Sequence, residues 1–246
     1  MVLQQAFVWK EDQSGFLAGI VAGEVARESG RFTLGAVGGL PIPPVLRFIN
    51  GFIVGARDAC PQCTIYEVYS TSWSDIEQAH AHANLFLENG VGIAFCAGGF
   101  TGSQACLKMA QNGVYVIGVD VDEYYSTYGA GTVEGVENLL TSAQKSTARA
   151  IQYSIQCFLF RFEDCAGRTN TLDASNNGIV LSPCHESCEL YGPTTQAKVA
   201  DLYQALKDDA ISTVRMQFGH FIYSLLYFIH ESLTNVFALL HCLLGS

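Results

Sequence analysis

The sequence predicts an α/β fold, a parallel Rossmann-like sheet flanked by helices, and three observations predict it. Short apolar runs alternate with helical patterns at intervals of roughly 30 residues, the length of a strand-helix-strand unit. Those runs are apolar throughout rather than at every second position, as in a parallel sheet covered on both faces. Residues 93–110, "IAFCAGGFTGSQACLKMA", pass from an apolar segment through a glycine cluster into a helix, the kind of join at which open α/β sheets meet ligands. At 246 residues, 49% hydrophobic and 15% charged, the chain has ample material for a buried core.

The elements follow in order. "GFLAGIVAGEVARESG" carries apolar residues at helical spacing and stops at Gly30, a residue suited to a helix end. "FTLGAV" reads as a strand, and "PPVLRFINGFIVGARDA" as a helix with its prolines in the opening turn, where a missing N–H costs nothing. "TIYEVYS" is a second strand, after which Asp75 is placed to cap the helix "IEQAHAHANLFLEN". "GIAFCA" is a third strand, "GGFTG" a turn and "SQACLKMAQNG" a helix, and "VYVIGVDVD" is a fourth strand. Then "VENLLTSAQKSTARAIQYSIQCFLF" reads as a short strand running into a long helix, "NGIVLSP" as a late strand and "TTQAKVADLYQALKDDA" as an amphipathic helix. Polar and small residues across 163–177 suggest a linker.

Ligands of such sheets sit beyond the carboxyl ends of the strands, and this rule selects the candidates. Phe95 and the turn with Gly98, Gly99 and Gly102 follow the third strand. Asp120 and Asp122 follow the fourth, and Ser142 and Lys145 lie where the last strand of the series enters its helix. Glycines here serve either a tight strand-to-helix turn or a close approach of backbone N–H groups to a ligand. Asp120 is either a turn residue or an acceptor for adjacent hydroxyls. Lys145 is either a solvated helix lysine or a ligand contact. Phe95 is ordinary core unless it ends its strand, where its ring would meet a flat heterocycle. Trp73, in the loop after the second strand, either packs the hinge or lines the same crevice.

Other readings are weaker. With 13 Lys and Arg against 23 Asp and Glu, the chain lacks the basic surface that nucleic acid requires. Neither a G-x-S-x-G elbow nor an H-E-x-x-H helix occurs, and His80 and His82 point to different helix faces. Asp120 with Asp122 would hold magnesium without a phosphate cradle. Catalysis, a cofactor and a metal are therefore not expected. Among nine cysteines, Cys60/Cys63 in "CPQC" and Cys184/Cys188 in "CHESC" are open to three readings: disulfides, zinc ligands or plain thiols. The N-terminus, "MVLQQAFVWKEDQSG", does not read as a secretory signal peptide. From Met216 to Ser246 the one formally charged side chain is Glu231. That tail reads as a membrane-associated helix, a buried or self-associating one, or an aberrant extension.

Taken in order, "EDQSGFLAGIVAG", "GAVGGLPIPPVLRFINGFIVGARDACP", "YSTSWSD", "LFLENGVGIAFCAGGFTGSQACLKMAQNGVYVIGVDVDE" and "LLTSAQKSTARAI" resemble the basic membrane protein family (Bmp/PnrA-like, Med-like), purine nucleoside-binding proteins of ABC transporters. The resemblance implies a type I periplasmic-binding fold, two α/β lobes closing on a nucleoside such as inosine, guanosine or adenosine, with an ABC permease as partner and no catalysis. It implies that Phe95 stacks on the base, that the turn at Gly99 and Gly102 contributes backbone contacts, that Asp120 holds the ribose and that Lys145 meets ligand oxygens. Trp73 joins them as a crevice residue. Family members carry a signal peptide and a lipid-anchored cysteine, which implies an extracytoplasmic or cell-membrane station. They also carry most of a first lobe ahead of "EDQSGFLAG", so this chain reads as N-terminally truncated, with one lobe largely complete and the other largely missing. Residues 1–168 are then the second lobe and hinge, 169–213 a return segment of the first lobe, and 214–246 an apolar tail with membrane contact. The competing readings are an enzyme or regulator using the same cleft for a nucleotide or sugar, and a membrane-tethered remnant that binds nothing.

Overall fold

The computed structural model describes residues 5–160 and 167–213. The chain opens with β1 (Ala6–Trp9), α1 (Glu11–Ser29), β2 (Thr33–Gly38), α2 (Pro43–Ala59) and β3 (Thr64–Tyr69). It continues through α3 (Ile76–Glu88), β4 (Ile93–Ala97), α4 (Gly99–Ala110), β5 (Tyr115–Asp120), α5 (Glu123–Ser126) and β6 (Leu139–Lys145). The last elements are α6 (Thr147–Phe160), β7 (Thr169–Leu172), β8 (Ile179–Leu181), α7 (Cys188–Tyr191) and α8 (Pro193–Lys207).

The main sheet has the order β3-β2-β4-β5-β6-β8, parallel throughout except for β8, which runs antiparallel along β6. Every residue of β4 is buried, as the unbroken apolar run predicts. The chain passes from β2 to β3 on one side, whereas β4, on the other side of β2, leads away to β5, so the direction of succession reverses between β2 and β4. At such a switch point the two connecting loops diverge and leave a crevice.

Helices cover both faces. Phe48, Phe52 and Ile49 of α2 and Ile20 and Val21 of α1 share one core with Phe95 and Ile117 of the sheet. Phe86 of α3 and Met109 of α4 share the other with Ala94, Cys96 and Val116. Glycines let α1 and α2 meet backbone to backbone: a Cβ on Gly19 would lie 2.1 Å from the Phe52 carbonyl oxygen, and one on Gly55 2.0 Å from that of Phe16. This contact carries the first turn of α1 to that of α2, where Arg47 Nε donates to the buried Glu11 carboxylate at 2.7 Å. Helix α1 starts at Glu11, ahead of the predicted Gly15, because Glu11 and Asp12 fill its first turn, where negative charge is favourable.

Two strands are absent from the sequence reading. β1 and β7 pair in parallel as a separate two-stranded sheet, with Ala6 opposite Thr169 and Trp9 opposite Leu172. The stretch assigned as a linker thus holds a strand. Within residues 169–213, β7 joins β1, β8 extends the main sheet and α8 packs on α1. Polar bonds explain the division, since the Ser182 hydroxyl accepts from the Ser142 N–H at 2.7 Å and Lys198 pairs with Glu24 of α1 at 2.5 Å. The tail at 214–246, with the membrane contact expected of it, lies outside the described residues. Among the described residues no helix is long and apolar enough to cross a membrane.

Candidate ligand-binding site

The glycine cluster falls at the switch point. Gly39, just past β2, donates its N–H to the Ala97 carbonyl at the end of β4 at 2.9 Å, which ties the two diverging loops together. Gly98 caps α4, Gly99 takes a φ of 58°, and the Gly102 N–H reaches back to the Gly98 carbonyl at 3.0 Å. The turn is therefore itself the first turn of α4, four residues before the predicted start. Beneath it Cys96 and Cys106 form a disulfide that fastens β4 to α4.

Trp73 lies across these glycines. A Cβ on Gly39 would lie 2.2 Å from a Trp73 ring carbon, and one on Gly99 3.1 Å from another. The Trp73 carbonyl accepts from the Thr101 N–H at 3.1 Å, and the Thr101 hydroxyl accepts from the Asp75 N–H at 2.8 Å, so the loop from β3 to α3 is anchored on the turn. Trp73 remains 39% exposed, and Phe100, inside the turn, is 54% exposed. Both present aromatic surface at the rim.

Asp120 and Lys145 end neighbouring strands and meet in an ion pair of 2.9 Å between Nζ and Oδ1. The aspartate side chain is still 46% exposed, so the carboxylate faces outward while its inner oxygen is engaged. Its backbone has a φ of 67°, and the Val121 N–H bonds to the Val119 carbonyl at 2.7 Å. That bond closes a γ-turn of the rarer hand centred on Asp120, a strained geometry for any residue with a side chain. The Lys145 ammonium stands 5.5 Å from the centroid of the Phe48 ring, a distance at which the ring face attracts it.

The structure therefore brings Gly99, Gly102 and Trp73 together on one side of the crevice and joins Asp120 to Lys145 at the ends of β5 and β6. Phe95 is corrected. It is fully buried in mid-strand, its ring stacked on Phe52 at 5.1 Å and edge-on to Phe48 at 6.1 Å. Enclosed by core, its ring lies in the layer beneath the strand ends and is not at the surface where stacking was expected of it. Ser142 is also buried and accepts from the Glu123 N–H at 3.1 Å. Asp122 turns away from Asp120: it caps α5 through the Tyr124 N–H and pairs with His185 at 2.8 Å. The imidazole in turn stacks on Tyr124 at 4.0 Å. The two aspartates thus do not converge on a shared cation, and among the described residues no three His, Cys, Asp or Glu side chains are placed to hold a metal. Cys60–Cys63 and Cys184–Cys188 are disulfides, which removes the zinc reading for both pairs.

The sequence reading missed Glu123. It is 2% exposed, and its Oε1 accepts from the Val119 N–H at 3.1 Å and the Ser103 hydroxyl at 3.0 Å. Burial pushes this carboxyl above the ordinary carboxylate range, and the negative charge of Asp120 adds to the effect. The available signal was Gly118: a Cβ there would lie 2.7 Å from the Glu123 carboxyl carbon, so a bare strand position makes room for an acid five residues on.

Comparison with known proteins agrees with this architecture. Residues 5–157 match the family model described as ABC transporter substrate-binding protein PnrA-like. Basic membrane protein B of Borreliella afzelii (strain PKo) is 32% identical over 146 residues, 58% of this chain and 40% of the relative. The ABC transporter nucleoside-binding protein BmpA of Lactococcus lactis subsp. cremoris is 28% identical over 123 residues, 47% of this chain and 34% of the relative. An ABC transporter solute-binding protein from Conexibacter woesei superimposes with a TM-score of 0.63 at 25% identity, covering 85% of this chain and 64% of that one. This chain spans about two fifths of the length of the curated relatives it matches.

Proposed function

The chain belongs to the PnrA-like family of ABC transporter substrate-binding proteins, and from that premise we propose that it binds purine nucleosides for delivery to an ABC permease. The observation that carries the reading is the Asp120–Lys145 pair, an outward carboxylate with its charge partly balanced, at the carboxyl edge of the sheet. With Oδ1 held inward on Lys145, the outward oxygen, Oδ2, offers its lone pairs to the adjacent hydroxyls of ribose. Lys145, 24% exposed, donates to ligand oxygens while holding Asp120 in place. The base lies against Trp73, which takes the stacking role expected of Phe95, and the backbone of Gly99 to Gly102 closes around it. The nucleoside name of the Lactococcus lactis relative supports this ligand class.

The family binds solutes rather than transforming them. Inosine, guanosine and adenosine are the ligands to try, and the working place of the protein is extracytoplasmic. The described residues build one wall of a crevice. Affinity is accordingly expected in the range of about 0.1–10 mM, worth roughly 3–5 kcal/mol. Equilibrium dialysis of the full chain against each nucleoside tests the reading, with the nucleoside recovered afterwards for chromatography. Saturable retention of unchanged nucleoside, lost in Asp120→Ala, is the expected result; no retention, or conversion of the nucleoside, contradicts it.

A further inference from the structure

The strained turn at Asp120 is held from below by one side chain. Glu123 folds back under β5, and its Oε1 takes the Val119 N–H, the amide directly ahead of Asp120. The same oxygen takes the Ser103 hydroxyl of α4, and the Glu123 N–H goes to the Ser142 hydroxyl of β6. One acid thereby joins β5, α4 and β6 at the point where β5 releases Asp120. Its other oxygen, Oε2, is buried on the side where the Thr127 side chain approaches, and among the described residues it lacks a hydrogen bond of ordinary geometry, as does the hydroxyl of nearby Tyr128. A carboxyl buried this deeply is costly when ionised and far less so when protonated.

We infer that Glu123 is a positioning residue for the ribose contact, a buried carboxylic acid that props the γ-turn and sets the direction of the Asp120 carboxylate. The inference rests on the proposed role of Asp120. From β5 Glu123 faces the Asp120 carboxylate, from α4 and β6 the hydroxyls of Ser103 and Ser142, and from the segment after α5 Thr127 and the Tyr128 phenol, with Glu137 beyond that phenol. The one cation at this corner, among the described residues, is Lys145, and it is paired with Asp120. Ionisation of Glu123 therefore sets a second negative charge against Asp120 in a poorly solvated place, and the turn responds by shifting Asp120 away from the ligand.

Carbon-13 carboxyl NMR through a pH titration reads this directly, in wild type and in the isosteric Glu123→Gln. The expected result is a Glu123 midpoint above the ordinary 4.5, with a second inflection of the Asp120 resonance at that same midpoint. The variant should lack the second inflection. Inosine affinity should fall about tenfold across that window in wild type, the scale of one charge-assisted hydrogen bond, and stay flat in Glu123→Gln. An Asp120 resonance that ignores the Glu123 midpoint, or the same inflection in both proteins, overturns the inference. Coupled resonances in a protein that binds no inosine at any pH would leave Glu123 as the prop of Asp120 and refute the ligand assignment instead.

Discussion

Substitution of Asp120 by glycine should stabilise the fold while it removes the ligand contact. The strain is visible: a φ of 67° at the centre of a γ-turn, a geometry that costs of order 1–3 kcal/mol for a residue with a side chain. Glycine adopts it freely but adds about 0.5–1 kcal/mol of unfolded-chain entropy. The lost ion pair with Lys145 is half open to water, and such pairs contribute about 0–1 kcal/mol. At mid-range values the balance favours Asp120→Gly by about 1 kcal/mol, or ~2–4 °C in Tm for a chain of this size. Asp120→Ala keeps the strain and loses the pair, so it should sit at or slightly below wild type. Urea and thermal unfolding of the three proteins would order them as Gly, wild type, Ala. If glycine instead lowers Tm by several degrees, Asp120 is holding the fold together, and the argument that its strain is retained for a ligand fails.

Other expectations are independent of that one. Trp73→Ala should weaken purine nucleoside binding by about 1–2 kcal/mol, roughly 5–30-fold, since stacking on a base is of that size; unchanged affinity in dialysis would place the base elsewhere. Gly55→Val drives a side chain into the Phe16 carbonyl of the facing helix and should cost at least about 3 kcal/mol. A soluble variant with wild-type Tm would contradict the close approach of α1 and α2. For Glu123, burial raises the folded-state value above the ordinary 4.5, so the native state holds its proton more tightly than the unfolded chain. Stability from this group is then complete below the unfolded value and is lost as pH rises through the folded one. Glu123→Gln should remove that decline, and a denaturation profile identical to wild type from pH 4 to 8 would argue against a raised value.

Much of the fold was legible because its strands are apolar runs with clear helical partners. The strands from β2 to β6 and the helices α2, α3 and α4 follow from hydrophobic period and from glycine and proline placement. β1 and β7 were not legible. "AFVW" and "TNTL" are four residues each, and they are strands because they pair with one another across a long separation, which local pattern does not contain. At the site, the placement of Asp120, Lys145 and the glycine turn at the carboxyl ends of strands was readable from their position in the sequence pattern. Phe95 failed for a geometric reason. Period 2 puts it on the same face as Ala97, and whether that face meets solvent or helix depends on α2, whose Phe48 and Phe52 claim it. Glu123 was invisible because an acid after a strand reads as exposed; its burial depends on the bare backbone at Gly118 and on hydroxyls from two other elements.

The central claim is that Asp120 holds the hydroxyls of a nucleoside. Calorimetric titration of inosine and 2′,3′-dideoxyinosine into wild type and Asp120→Ala tests it most directly, as a double-difference cycle. The expected result is that deleting the hydroxyls and deleting the carboxylate each cost about 1.5–3 kcal/mol, and that the second deletion adds almost nothing to the first. Equal binding of the two nucleosides by wild type, or fully additive losses, would contradict it.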